Sequence, residues 1–145
     1  MQKLEQILFY TLEKSIKTYR QFAQKQINTY GLDITIDQWL ILKTLQDNPD
    51  ISQQQIAEKV FKDFASVTRM IELLVSKEYL KRDFHLVDRR RFSLSITKKG
   101  NKILDALIPI VENNRRVALQ SFTEKEIKAM QKSLIKIIDN CKLDN

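Results

Sequence analysis

The sequence predicts a mostly α-helical fold carrying one small β-hairpin. Three observations lead there. Only 2 Gly and 2 Pro occur in 145 residues, apolar residues recur at steps of three and four along most of the chain, and one short stretch alternates strictly instead. Sandwiches and barrels turn every 8–12 residues or so and use Gly and Pro to do it, so both are disfavoured. The length suits one domain, and 43% hydrophobic with 30% charged residues suits a globular chain. One cysteine excludes an intramolecular disulfide framework and a Cys-rich zinc site. With one histidine besides, no metal and no cofactor are expected. No apolar run approaches the roughly 18 residues that span a membrane. The first ten residues do not read as a signal peptide, so a cytoplasmic location with no membrane partner is expected.

The elements follow in order. Residues 2–30 put Leu4, Leu8, Leu12, Ile16, Tyr19, Ala23, Ile27 and Tyr30 on one stripe of a long helix that ends at Gly31. Thr35 with Gln38 forms a capping box for a second helix, which carries Trp39, Leu40, Leu42 and Leu45 and stops near Pro49. Ser52 with Gln55 opens a short third helix through Ile56, Ala57 and Val60. Asp63 is the expected N-cap of a fourth, whose Val67, Met70, Ile71, Leu74 and Val75 form a buried face. Short helices joined by tight turns are the ingredients of a helix-turn-helix. The period then changes. Residues 79–84 and the alternating Phe92-Ser93-Leu94-Ser95-Ile96 read as two strands around a cationic tip, the wing of a winged helix. From Thr97 a further long helix carries Leu104, Leu107, Ile108, Val111, Ala118 and Leu119, with a kink expected at Pro109. Thr123 and Glu126 box the last helix, whose apolar residues are Ile127, Met130, Leu134, Ile137, Ile138 and Cys141.

The formal charge of +7 has an address. Residues 59–102 hold twelve cations and five anions, and the rest of the chain is electroneutral. Such clustering points to a nucleic-acid footprint.

Several motifs together resemble the MarR family of bacterial transcription regulators. They are Gly31-Leu32 with Thr35 to Trp39, Gln55-Ile56-Ala57, Ser66-Val67-Thr68-Arg69, the wing run Asp88-Arg89-Arg90 through Thr97-Lys98-Lys99-Gly100, and Thr123 to Glu126. The likeness runs from about Gly31 to Ile138. It implies one domain over residues 1–145, with a winged helix-turn-helix DNA-binding lobe at 33–100 and dimerisation helices at 1–32 and 101–145. One departure stands out. Glu78 occupies a position where the family often has Gly. There a left-handed backbone would cost Glu about 1 kcal/mol, unless the turn is built differently.

A helix-turn-helix lays its second helix in the major groove, with its N-terminal residues at base edges. Ser66 and Arg69 are the candidate readers, since Arg bonds bidentately to guanine O6 and N7 and Ser to several bases. Thr68 joins them by resemblance. Phe64 touches a thymine methyl or plugs a small hydrophobic gap. Gln53, Gln54, Lys62 and Lys81 suit phosphates, with plain solvent exposure as the alternative. Three consecutive arginines at a hairpin tip repel one another unless an anion lies nearby, and a narrow minor groove supplies one. The resemblance implies that Arg90 enters that groove, with Asp88 orienting the tip. Arg89 and Arg91 would then lie on flanking phosphates.

The long terminal stripes have nothing else to cover them, so a homodimer on an inverted-repeat operator is expected. The resemblance also implies a small aromatic or phenolic effector, with Tyr19, Tyr30 and Trp39 as candidate contacts, although aromatics on an apolar face are more often core. A redox-responsive regulator using Cys141 is an alternative, with a buried structural thiol as the default. His85 reads as a solvent-exposed loop residue. A winged-helix protein-interaction module is disfavoured by the cationic wing. An enzyme is disfavoured by the lack of a phosphate loop or nucleophile motif.

Overall fold

The computed structural model describes residues 1–84, 87 and 92–143, arranged as two compact units, Met1–Asn114 and Arg115–Asn145. Six helices and one hairpin appear among the described residues: α1 (Leu8–Thr29), α2 (Ile36–Asp47), α3 (Gln53–Lys59), α4 (Phe64–Ser76), β1 (Leu80–Phe84), β2 (Phe92–Ile96), α5 (Lys98–Ala118) and α6 (Glu124–Cys141). None of the helices is long and apolar enough to cross a membrane.

The capping signals of the sequence start the helices where expected. The Gln38 N–H donates to Thr35 Oγ1 while Thr35 N–H donates to Gln38 Oε1, each at 3.1 Å. The boxes Ser52/Gln55 and Thr123/Glu126 close in the same reciprocal way. The first stripe needs correction, because it is not one helix from residue 2. The Lys3 N–H donates to Gln6 Oε1 at 3.0 Å, closing a single 3-10 turn over Leu4–Gln6. Ile7 is then extended, and α1 begins at Leu8. Only Ala23 and Ile27 of α1 are buried. Leu4, Leu8 and Ile16 are exposed. The later helix also starts one residue after its expected place, at Lys98, and it continues through Pro109.

The core of the first unit follows most of the predicted apolar positions, but Ile41, not among those expected on α2, is buried, and Ile108, expected on the α5 stripe, is exposed. Ile41 and Leu42 from α2, Ile56 from α3, Val67, Ile71 and Leu74 from α4, and Leu107 from α5 are all completely covered. Leu80 at the start of β1 joins them and pairs with Ile96 of β2 in the antiparallel register.

Glu78 is left-handed, at φ 65°. The Tyr79 N–H donates to Leu74 O at 3.0 Å and the Glu78 N–H to Val75 O at 2.9 Å, which is the Schellman closure of a helix. The family-like turn is therefore kept without its glycine. Glu78→Gly is expected to raise stability by about 1 kcal/mol, or about 2–4 °C in a thermal melt. An unchanged or lower melting temperature would contradict the strain. Phe61 makes a second turn of this kind at φ 62°, between α3 and α4.

Gly100 marks a different constraint. A Cβ built on it lies 2.3 Å from the Tyr79 carbonyl oxygen and 2.8 Å from Ile96 Cγ2. Thr97 ties the same junction together. Its N–H donates to Tyr79 O at 3.1 Å, its hydroxyl donates to Glu78 O, and its Oγ1 accepts the Gly100 N–H at 3.0 Å. The Thr-x-x-Gly end of the wing signature thus locks the first turn of α5 onto the exit of α4.

Candidate nucleic-acid interface

α4 divides cleanly into two faces. Val67, Ile71 and Leu74 are buried, whereas Ala65, Arg69, Glu72, Leu73 and Ser76 are exposed on the opposite side. Its N-terminus is organised by Asp63. The Ser66 N–H donates to Asp63 Oδ1 at 2.8 Å, the Ser66 hydroxyl donates to Oδ2 at 2.9 Å, and Arg69 Nη2 donates to Ser66 Oγ at 3.3 Å. Ser66 is therefore half-buried and engaged in the cap, leaving Arg69 as the exposed side chain of the pair.

These bonds hold the Asp63 carboxyl below the ordinary aspartate range. The Ser66 N–H contributes most and the Ser66 hydroxyl next. A depressed folded value adds stability above the unfolded value, and that stability is lost as pH falls through the folded one. Acidification below the usual carboxylate range should therefore loosen the start of α4. In Asp63→Asn, which caps without titrating, this part of the acid sensitivity should disappear. Thermal melts across an acidic pH series test it, and equal acid sensitivity in the two proteins would refute it.

Three of the other candidate positions are engaged within the fold. Gln53 Nε2 donates to Thr68 Oγ1, and the Thr68 hydroxyl donates to Phe64 O at 3.0 Å, so this pair docks α3 on α4. Lys62 lies 3.6 Å from Asp37, which also receives Arg20 from α1. Sequence reasoning missed Asp37 as the shared anion of these two cations. Its one visible signal was an acid in the first turn of α2, where a helix dipole favours negative charge. Lys81 is exposed on β1, 3.5 Å from Asp83, two residues along the same strand face. Gln54 is exposed, and Phe64 is half-exposed rather than plugging the core. Phe61, also missed, is 87% exposed at the turn that leads into α4. Asp88, Arg89, Arg90, Arg91 and His85 lie outside the described residues.

Below this face, α4 is fastened to α2. Lys77 Nζ donates to Asp33 Oδ1 and Gln38 Oε1, both at 3.1 Å. The Tyr79 hydroxyl donates to Asp33 O at 3.0 Å. Burial, and then the nearby Asp33 charge, push the Tyr79 phenol above its usual range.

The candidate effector contacts are scattered. Trp39 packs against the core, Tyr19 is half-buried and Tyr30 is exposed. A surface cavity of about 300 Å³ runs along α1 past Tyr10, Lys14 and Thr18, and none of those three aromatics lines it. Cys141 is exposed at the end of α6, correcting the expectation of a buried thiol. That helix buries none of its residues, so its stripe offers no cover.

Comparison with known proteins places this geometry. Residues 34–92, which run from the approach to α2 into the hairpin, match the family model described as MarR family. The HTH-type transcriptional regulator SarZ of Staphylococcus epidermidis is 27% identical over 135 residues, spanning 91% of this chain and 87% of that protein. The HTH-type transcriptional regulator MhqR of Bacillus subtilis is also 27% identical, over 93% of this chain and 92% of its own. Among solved structures, Bordetella bronchiseptica BpsR, whose DNA binding is regulated by 6-hydroxynicotinic acid, superposes with a TM-score of 0.86 at 20% identity. The match covers 96% of this chain and 98% of that one.

Proposed function

The chain belongs to the MarR family of winged helix-turn-helix, DNA-binding transcriptional regulators, and from that premise we propose that it is a ligand-responsive repressor acting as a homodimer on an inverted-repeat operator. The relatives are regulators and not enzymes. The observation that carries the DNA reading is the two-faced α4. Its buried face, Val67, Ile71 and Leu74, belongs to the core, while Arg69 stands on the open side. Arg69 suits a guanine edge in the major groove, with Phe64 at a thymine methyl. Gln54, Lys62 and Lys81 fit the flanking phosphates, with Gln53, Ser66 and Thr68 holding the helix start in place. Arg90 in the minor groove, oriented by Asp88 and flanked by Arg89 and Arg91, completes the footprint.

The dimer reading rests on exposed apolar side chains at both ends of the chain: Leu4, Leu8 and Ile16 before the lobe, and Met130, Leu134 and Ile138 after it. A lone chain would leave these wet. A two-fold dimer presents its two reading helices to half-sites one helical turn apart. The effector reading is supported by BpsR, whose DNA binding responds to a small aromatic acid. Tyr19, Tyr30 and Trp39 are the aromatic contacts proposed here.

Fluorescence-anisotropy titration of duplex DNA over a salt series tests the function. Affinity should fall steeply as salt rises, because bound phosphates release counterions. Sedimentation should show a dimer at micromolar concentration, and 6-hydroxynicotinic acid serves as the first effector probe. Salt-independent binding or a monomer would overturn the corresponding part.

A further inference from the structure

Glu72 stands on the open face of α4, three residues beyond Arg69. That spacing is a rise of roughly 4.5 Å and a rotation of about 60° around the helix. A base-pair step along a strand is about 3.4 Å, so side chains at the two positions meet the same or neighbouring base pairs. The two are not an ion pair. Arg69 turns back toward Ser66, and Glu72 has no partner among the described residues. The other acid at this end of the helix, Asp63, is accounted for by its cap. An unpaired carboxylate in the middle of a cationic footprint weakens attraction to phosphates, so general affinity does not explain it.

Base-edge chemistry does. A carboxylate only accepts. In the major groove the cytosine amino group is a donor with no acceptor beside it, whereas thymine presents O4 and guanine presents O6 and N7, all acceptors that would repel a carboxylate, and adenine sets its N7 acceptor next to its N6 amino donor. We propose that Glu72 is a specificity-determining residue that accepts a hydrogen bond from a cytosine amino group, beside the guanine taken by Arg69. The inference rests on the DNA-binding reading above and adds to it the base chemistry of the operator.

The experiment is selection from a random-sequence duplex library, run in parallel with the wild type, Glu72→Gln and Glu72→Ala. All three should fold alike, because the side chain is exposed; circular dichroism checks this. The wild type should enrich a motif with one fixed cytosine in each half-site. Glu72→Gln should move that position toward adenine, whose N6 and N7 match an amide, and Glu72→Ala should leave it degenerate. On the wild-type site Glu72→Ala should bind at least about fivefold more weakly, and on unrelated DNA as tightly as the wild type or more so. The same motif from all three proteins would overturn the proposal while leaving the DNA-binding reading intact. If the wild type enriches no sequence at all, the reading and the proposal fall together.

Discussion

Gly100→Ala should lower stability by about 2–3 kcal/mol, which for a chain of this size is about 5–10 °C in a thermal melt. Helix propensity alone predicts the opposite sign, because Ala is better than Gly by about 1 kcal/mol inside a helix. Space decides the outcome. The added methyl would sit 2.3 Å from a backbone oxygen, and that oxygen is the Tyr79 carbonyl that accepts the Thr97 N–H. Neither neighbour is the free end of a flexible side chain. Relief requires α5 to move away from the exit of α4, and with it the Thr97 bonds to Glu78 and Tyr79. A scan in which Gly100→Ala melts at or above the wild type would show that propensity wins and the packing is looser than described.

Leu134→Glu should leave the fold of the chain unchanged and weaken operator binding by about 100-fold, with a monomer in sedimentation. Leu134 lies near the middle of the α6 stripe, and every apolar residue of that stripe is at least partly exposed in the single chain. A carboxylate there costs an isolated chain little, because it stays in water. Buried in a dimer interface without a partner, it costs far more. Loss of the second reading helix then removes the gain of two linked half-sites, typically 10²–10⁴ in affinity. A Leu134→Glu protein that remains dimeric would place the interface elsewhere.

Much of the fold was legible because its signals are local. Thr35, Ser52, Asp63 and Thr123 cap helices at the expected positions, since a capping side chain needs only the backbone three residues on. The buried face of α4 followed from period alone. What was not legible depended on residues distant in sequence. The role of Gly100 is set by Tyr79, twenty-one residues away, and the engagement of Lys62 by Asp37. Among the candidate site residues, Arg69 and Lys81 stand exposed as expected. Thr68 and Gln53 read as possible DNA contacts because a polar side chain looks the same in sequence whether it faces water or a neighbouring helix, and here they bond each other. The break at Ile7 was hidden because the leucine spacing is unbroken across it, whereas the interruption lies in the backbone bond to Gln6.

The Asp37 arrangement bears on how charge is counted at a DNA surface. Arg20 and Lys62 share one carboxylate, and Lys62 belongs to the turn that precedes α4. If Lys62 takes the flanking phosphate proposed for it, it exchanges one anion for another instead of adding a new attraction. The stoichiometry of ion release is then smaller than a census of lysines and arginines suggests.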